Sequence, residues 1–235
     1  MIINIRPGTF GGLLCNGDMV ALLNVFEHLR MLNGNEQLKF FMMPGTISTS
    51  DYCVKFFEYL KTATDYFSEE PSDQFLSWNK VNLWDYRAIS GDLVKINNDI
   101  QMKKKIVIFP VFDAPYNMYR NWPPVILQKI IDDYQTNNEF EKILCVKDIP
   151  NGIDLKGFTI STDFIANINH ILECHTFIGG ETGTSIFASA LDRPPENLLY
   201  FYSNRALLHT VPFHSLNGKG RIINYWLDCE GTTWR

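Results

Sequence analysis

The chain has 235 residues, 46% hydrophobic and 20% charged, which suits one large or two small folded domains and excludes disordered, collagen-like and low-complexity classes. A net charge of −5 argues against bulk attraction to nucleic acid or anionic lipid, and leaves room for a local basic groove. No apolar run approaches the ~20 residues of a membrane span.

The N-terminus, MIINIRPG, has the look of a short strand and carries no signal-peptide pattern, so a cytoplasmic protein is expected. The five cysteines are scattered and show no CxxC, which fits reduced thiols better than a disulfide framework or a zinc site. Apolar alternation predicts a strand over Ile2–Arg6 and a helix over Asp18–Leu32, stopped by Asn33-Gly34. A strand over Lys39–Met43, a helix over Ser50–Tyr66 and a third strand over Val81–Tyr86 follow. The polar stretch Gly91–Lys105, with the run Lys103-Lys104-Lys105, reads as a solvated linker.

Alternation then restarts. Strands are expected at Ile106–Phe109, Ile143–Val146, Phe158–Ile160, Thr176–Ile178 and Leu198–Tyr202. Helices are expected at Pro124–Tyr134, Asp163–Cys174 and Thr184–Leu191. Strands alternating with helices predict an α/β fold with parallel sheets. The restart predicts two Rossmann-like units, residues 1–100 and 101–235, with a ligand cleft between them.

Three segments could carry chemistry. In the first, Arg6-Pro7-Gly8-Thr9-Phe10-Gly11-Gly12 leads from a strand to Gly17-Asp18 at a helix start. Backbone N–H groups and a positive helix end would face a ligand there, while Asp18 is either a helix cap or a base. In the second, Asp113 to Pro124 is longer and more aromatic than a turn requires, and it holds Asn117 and Arg120. Arg120 is either a phosphate fork or a surface arginine. In the third, the strand ending at Ile178 runs into Gly179-Gly180-Glu181-Thr182-Gly183-Thr184-Ser185 at a helix start. Glycines admit a ligand to the backbone, and hydroxyls and amides at a helix N-terminus suit phosphate; a capped βα turn is the plainer alternative. Glu181 would bind a sugar hydroxyl or order the loop. GxGxxG, GxSxG, GxxxxGK[ST], HExxH and DxD are all lacking, so neither a dinucleotide fingerprint nor an aspartate-held metal at a donor diphosphate is indicated.

Together these segments resemble the heptosyltransferase-like family of GT-B glycosyltransferases. The marks are Ile3–Arg6 with Gly17-Asp18, then Arg120-Asn121-Trp122-Pro123 with Arg where Lys is usual, then Glu181-Thr182-Gly183 followed by Ala188–Leu191 and Pro194. Glu181 stands where that family has Asp, and Ile186 where it has His. The resemblance implies a metal-independent sugar transfer from a nucleotide-sugar co-substrate, with no other cofactor, to an acceptor hydroxyl. Residues 1–100 would serve the acceptor, with Arg6, Gly11 and Gly12 in its loop and Asp18 as base. Residues 101–235 would hold the donor through Arg120, Asn117, Gly180, Glu181, Thr182, Gly183, Thr184 and Ser185. The segment Arg221–Trp226 would cross back to the first unit.

The acceptor could be a glycan or a hydroxymethylated base in phage DNA. Abundant Asn, Ile, Phe and Tyr suggest an AT-rich coding genome, bacterial or phage. Lys80, Arg87, Lys95, Lys103, Lys104 and Lys105 would supply the patch a DNA acceptor needs. A non-catalytic nucleotide-binding α/β protein is the alternative from another class.

Overall fold

A computed structural model describes residues 1–9, 12–35, 37–76, 95–96, 100–112, 120–202 and 221–226. The expected strand over Val81–Tyr86 lies outside these residues. The chain divides into two units, residues 1–99 with 190–192 and residues 100–189 with 193–235.

The first unit contains β1 (Ile2–Ile5), α1 (Asn16–Asn33), β2 (Lys39–Met42) and α2 (Asp51–Ala63). β1 and β2 pair in parallel, as a strand–helix–strand connection dictates. Single bridges extend the pair on both sides, Phe40 with Phe67 and Asn4 with Phe75. Gly34 ends α1 in the left-handed conformation, φ 58°, so its amide can cap Arg30 and Met31 carbonyls. Helix α1 is buried on every side from Met19 to Glu27, so a one-faced periodicity understates its position. α2 shows the ordinary one-sided pattern, burying Cys53, Phe56, Leu60 and Ala63. Phe26 stacks on Phe40 with centroids 3.5 Å apart.

The second unit contains β3 (Lys103–Phe109), α3 (Pro124–Tyr134), β4 (Glu141–Cys145), β5 (Thr159–Ser161), α4 (Phe164–Glu173), β6 (Cys174–Gly179), α5 (Gly183–Ala190), β7 (Asn197–Tyr202) and β8 (Arg221–Trp226). The six strands form one parallel sheet in the order β5-β4-β3-β6-β7-β8. Strand order therefore runs outward in both directions from β3, the doubly wound pattern. Along β7, Leu199 and Phe201 point to the face that α3 covers with Ile126, Leu127, Ile130 and Ile131. Tyr200 points to the other face, where its hydroxyl donates to the Ser185 carbonyl of α5 at 3.0 Å. Helices thus lie on both sides of the sheet.

Two expectations are corrected here. Lys103–Lys105 is no linker. It forms the start of β3, and Lys105 is buried because Glu173, His170 and Glu141 surround its ammonium. Arg221–Trp226 does not cross to the first unit, because it pairs in register with β7, from Asn197↔Arg221 to Tyr202↔Trp226.

Candidate functional site

β3 and β6 are neighbours at the centre of the sheet, and their chain connections leave in opposite directions. In sheets of this kind the crevice beyond the carboxyl ends of two such strands is where ligands bind. The Gly179–Ser185 segment follows β6 directly, and the described part of the segment after β3 is Arg120–Pro124. The segment after β3 is closed at its neck by the Trp122 amide donating to the Val111 carbonyl at 2.8 Å. Trp122 is buried against Phe201, centroids 5.3 Å apart, and Pro123-Pro124 starts α3 directly behind it. Asp113 to Tyr119, Asn117 included, lies outside the described residues.

The turn after β6 is built as a helix cap. The Thr182 hydroxyl accepts the Ser185 amide at 3.3 Å and lies 2.7 Å from the Thr184 hydroxyl and 3.2 Å from the Ser185 hydroxyl. The first helical bond of α5 runs from the Ile186 amide to the Thr182 carbonyl at 3.1 Å. The amides of Gly183 and Thr184, one and two positions into the helix, have no intrahelical carbonyl to meet. Together with the helix dipole they make this end attractive to an anion. Thr182 and Gly183 are half-buried, while Thr184 and Ser185 are buried.

The glycines before that turn have a packing role. A Cβ on Gly180 would come within 2.6 Å of Val111 Cγ2 and 2.7 Å of Trp122 Nε1. A Cβ on Gly179 would come within 2.5 Å of Ser185 Oγ and 2.6 Å of Phe177 Cε1. Gly180 was expected to admit a ligand to the backbone. The space over its α-carbon is filled by Val111 and Trp122, which locks the β3 and β6 loops together. The Trp122 indole N–H meets no hydrogen-bond acceptor among the described residues.

Arg120 and Glu181 meet across the same junction. Glu181 Oε2 lies 3.3 Å from Arg120 Nε, with side-chain exposures of 1% and 23% respectively. Arg120 Nη1 also donates to the Glu181 carbonyl at 3.5 Å. Of the two expectations for Glu181, a sugar hydroxyl or an ordered loop, the contacts match the second. The Glu181 carboxylate is sealed and paired with Arg120. Arg120 in turn is not an isolated surface arginine.

In the first unit, Arg6-Pro7-Gly8-Thr9 forms a tight turn closed by the Thr9 amide and hydroxyl on the Arg6 carbonyl at 3.2 and 2.8 Å. Gly8, at φ 75°, supplies the positive torsion that the third position of a type II turn requires. The Arg6 guanidinium lies 3.8 Å from the Phe75 ring centroid. Gly12 has open space at its α-carbon, and Gly11 lies outside the described residues. Cys15, not Asp18, is the N-cap of α1. Asp18 sits three positions into the helix, half-buried, and its Oδ2 accepts the Cys15 amide at 3.0 Å. Burial, the nearby Cys53 thiol and the Asp18 carboxylate push the Cys15 thiol up.

No cluster of His, Cys, Asp or Glu able to hold a metal occurs among the described residues, and no helix there is long and apolar enough to cross a membrane. Of the six basic residues expected to form a patch, Lys80 and Arg87 lie outside the described residues. Each of the other four pairs with a carboxylate: Lys95 with Glu27, Lys103 with Glu173, Lys104 with Glu139, and Lys105 with Glu173 and Glu141. Sequence reading missed the parts played by Val111, Trp122 and Tyr200. The one signal for Tyr200 was a hydroxyl in an apolar strand, which needs a partner when buried.

These features define an α/β protein whose second unit carries a doubly wound parallel sheet. The fold is similar to that of a solved glycosyl transferase family 9 protein from Veillonella parvula, with TM-score 0.50 and 8% identity over 96% of this chain and 85% of that one. No protein-family model matches the chain, and no curated protein matches it in sequence.

Proposed function

We propose that the chain is a glycosyltransferase that moves a sugar from a nucleotide-sugar donor to an acceptor hydroxyl. In this reading both units are Rossmann-like. The second holds the donor, the first serves the acceptor, and no metal is needed at the diphosphate. The observation that carries it is the pairing of Arg120, on the segment after β3, with Glu181, on the turn that opens α5, at the switch point of a parallel sheet. The fold likeness supports glycosyl transfer as the chemistry.

The reaction asks little of a protein beyond charge control. The acceptor oxygen forms a bond to the anomeric carbon as the bond from that carbon to the diphosphate oxygen breaks. Negative charge grows on the leaving diphosphate, where Arg120 and the Gly183 and Thr184 amides stabilise it. The acceptor proton passes to Asp18. The acceptor is named here as an alcohol and no further.

One observation favours a second reading, a nucleotide-binding protein without turnover. The Asp18 carboxylate accepts the Cys15 amide, the work of a helix-start residue. Release of nucleoside diphosphate from a panel of nucleotide sugars, with Asp18→Asn beside the wild type, separates the two. Asn can still accept the Cys15 N–H, so stability should move by less than about 1 kcal/mol, while turnover should fall ~10²–10⁴-fold. Equal release by both proteins removes Asp18 as base. Tight binding with no release by either supports the second reading.

A further inference from the structure

A carboxylate beside an anion site is a paradox of charge, and Glu181 is such a carboxylate. It stands one residue before the N-cap of α5, where it would repel a phosphate. Its side chain is only 1% exposed, so it presents almost no surface to a ligand. What it does face is the inner edge of Arg120. Its Oε2 lies 3.3 Å from Nε, an ion pair without hydrogen-bond alignment, and its carbonyl accepts from Nη1 at 3.5 Å. A guanidinium carries five N–H donors in a rigid plane, so Nη1 on the Glu181 carbonyl together with the carboxylate beside Nε sets the direction of the whole fork. A free arginine side chain on a loop loses considerable rotamer entropy when it binds an anion. One already held loses less.

We propose that Glu181 is a positioning residue that holds the Arg120 fork over the β6–α5 turn and does not itself touch the donor. The charge paradox then resolves. The negative carboxylate is spent on the inner edge of a cation, and the pair presents guanidinium to the diphosphate. Trp122 and Gly180 set the separation between the two loops, because their direct contact leaves no slack between residues 120 and 181. This inference rests on the diphosphate reading above.

The test is a double-mutant cycle read by calorimetry, using whichever of UDP, GDP, ADP and CDP the wild type binds most tightly. Arg120→Ala should weaken binding roughly tenfold to a hundredfold. Glu181→Gln should weaken it about fivefold to tenfold in the wild-type background. In the Arg120→Ala background the same substitution should leave affinity unchanged or improve it, since only repulsion remains to be removed. Glu181→Asp keeps the charge and should recover part of the loss. It also serves as the readout should Glu181→Gln fail to fold. Equal losses in both backgrounds would mean that Glu181 contacts the ligand itself, and would overturn the inference while leaving the diphosphate site standing. No loss in the wild-type background overturns it too. Failure of the wild type to bind any of the four overturns the diphosphate reading and the inference together.

Discussion

The two ends of strands β3 and β6 each carry a buried charge, and they use it differently. At the strand starts, Lys105 is 3% exposed, and its ammonium meets Glu173 at 2.8 Å, His170 Nδ1 at 3.1 Å and Glu141 at 3.4 Å. A lysine ammonium has three donors, and three acceptors surround it. At the strand ends, Arg120 keeps 23% exposure and is paired with the Glu181 carboxylate and carbonyl. The first arrangement closes on itself. The second leaves a guanidinium partly exposed, paired with the residue that precedes the α5 turn. Burial of charge alone therefore marks no site. What separates the two ends is whether the partners saturate the charge or aim it.

That contrast can be broken first at Gly180, where the expected effect is largest. Gly180→Ala forces a methyl into Val111 and Trp122, and should cost about 3 kcal/mol in denaturant unfolding. It should also weaken diphosphate binding by displacing Arg120 from the turn. An Ala variant of wild-type stability would mean the two loops are not locked together. Lys105→Met comes next. It removes the ammonium but leaves Glu173 partly exposed and still paired with Lys103 at 2.9 Å, so the loss should be about 2 kcal/mol. Diphosphate affinity should stay within twofold of the wild type. A lost affinity at unchanged stability would reverse the roles assigned to the two ends.

The smallest effect concerns pH. Burial, and then the Lys105 charge, hold His170 below its ordinary range, with Glu141 and Glu173 opposing and Lys103 adding to the shift. The unfolded chain therefore takes up the proton first as pH falls. Stability should decline on acidification through the ordinary histidine range near pH 6.5, and should be complete above it. His170→Gln should flatten that part of the stability–pH curve between pH 7.5 and 5.5. An unchanged slope would assign it to another group.

Local signals in the sequence foretold local structure well. Asn33-Gly34 ends α1 with Gly34 in the left-handed region. Pro124 opens α3, and the Asp163 carboxylate caps α4 by accepting the Ala166 amide at 2.7 Å. What stayed illegible depends on residues far apart in the chain. Lys103-Lys104-Lys105 reads as solvated because lysines seldom bury. Only Glu173 and His170, brought by α4, make a buried strand start of it. Arg120 and Glu181 were each marked as ligand contacts, yet no local pattern shows that they touch.

In the proposed function, the β6–α5 turn, at the carboxyl ends of the strands, receives a nucleoside diphosphate. Amide chemical shifts of uniformly ¹⁵N-labelled protein, followed as a nucleoside diphosphate is added, test it directly. Saturable shifts should concentrate at the Gly183 and Thr184 amides and the Arg120 Nε–H, with Lys105, Glu173 and their neighbours at the opposite end of the sheet unmoved. Shifts gathered around Lys105, or none at Gly183 and Thr184 at saturating ligand, would contradict it.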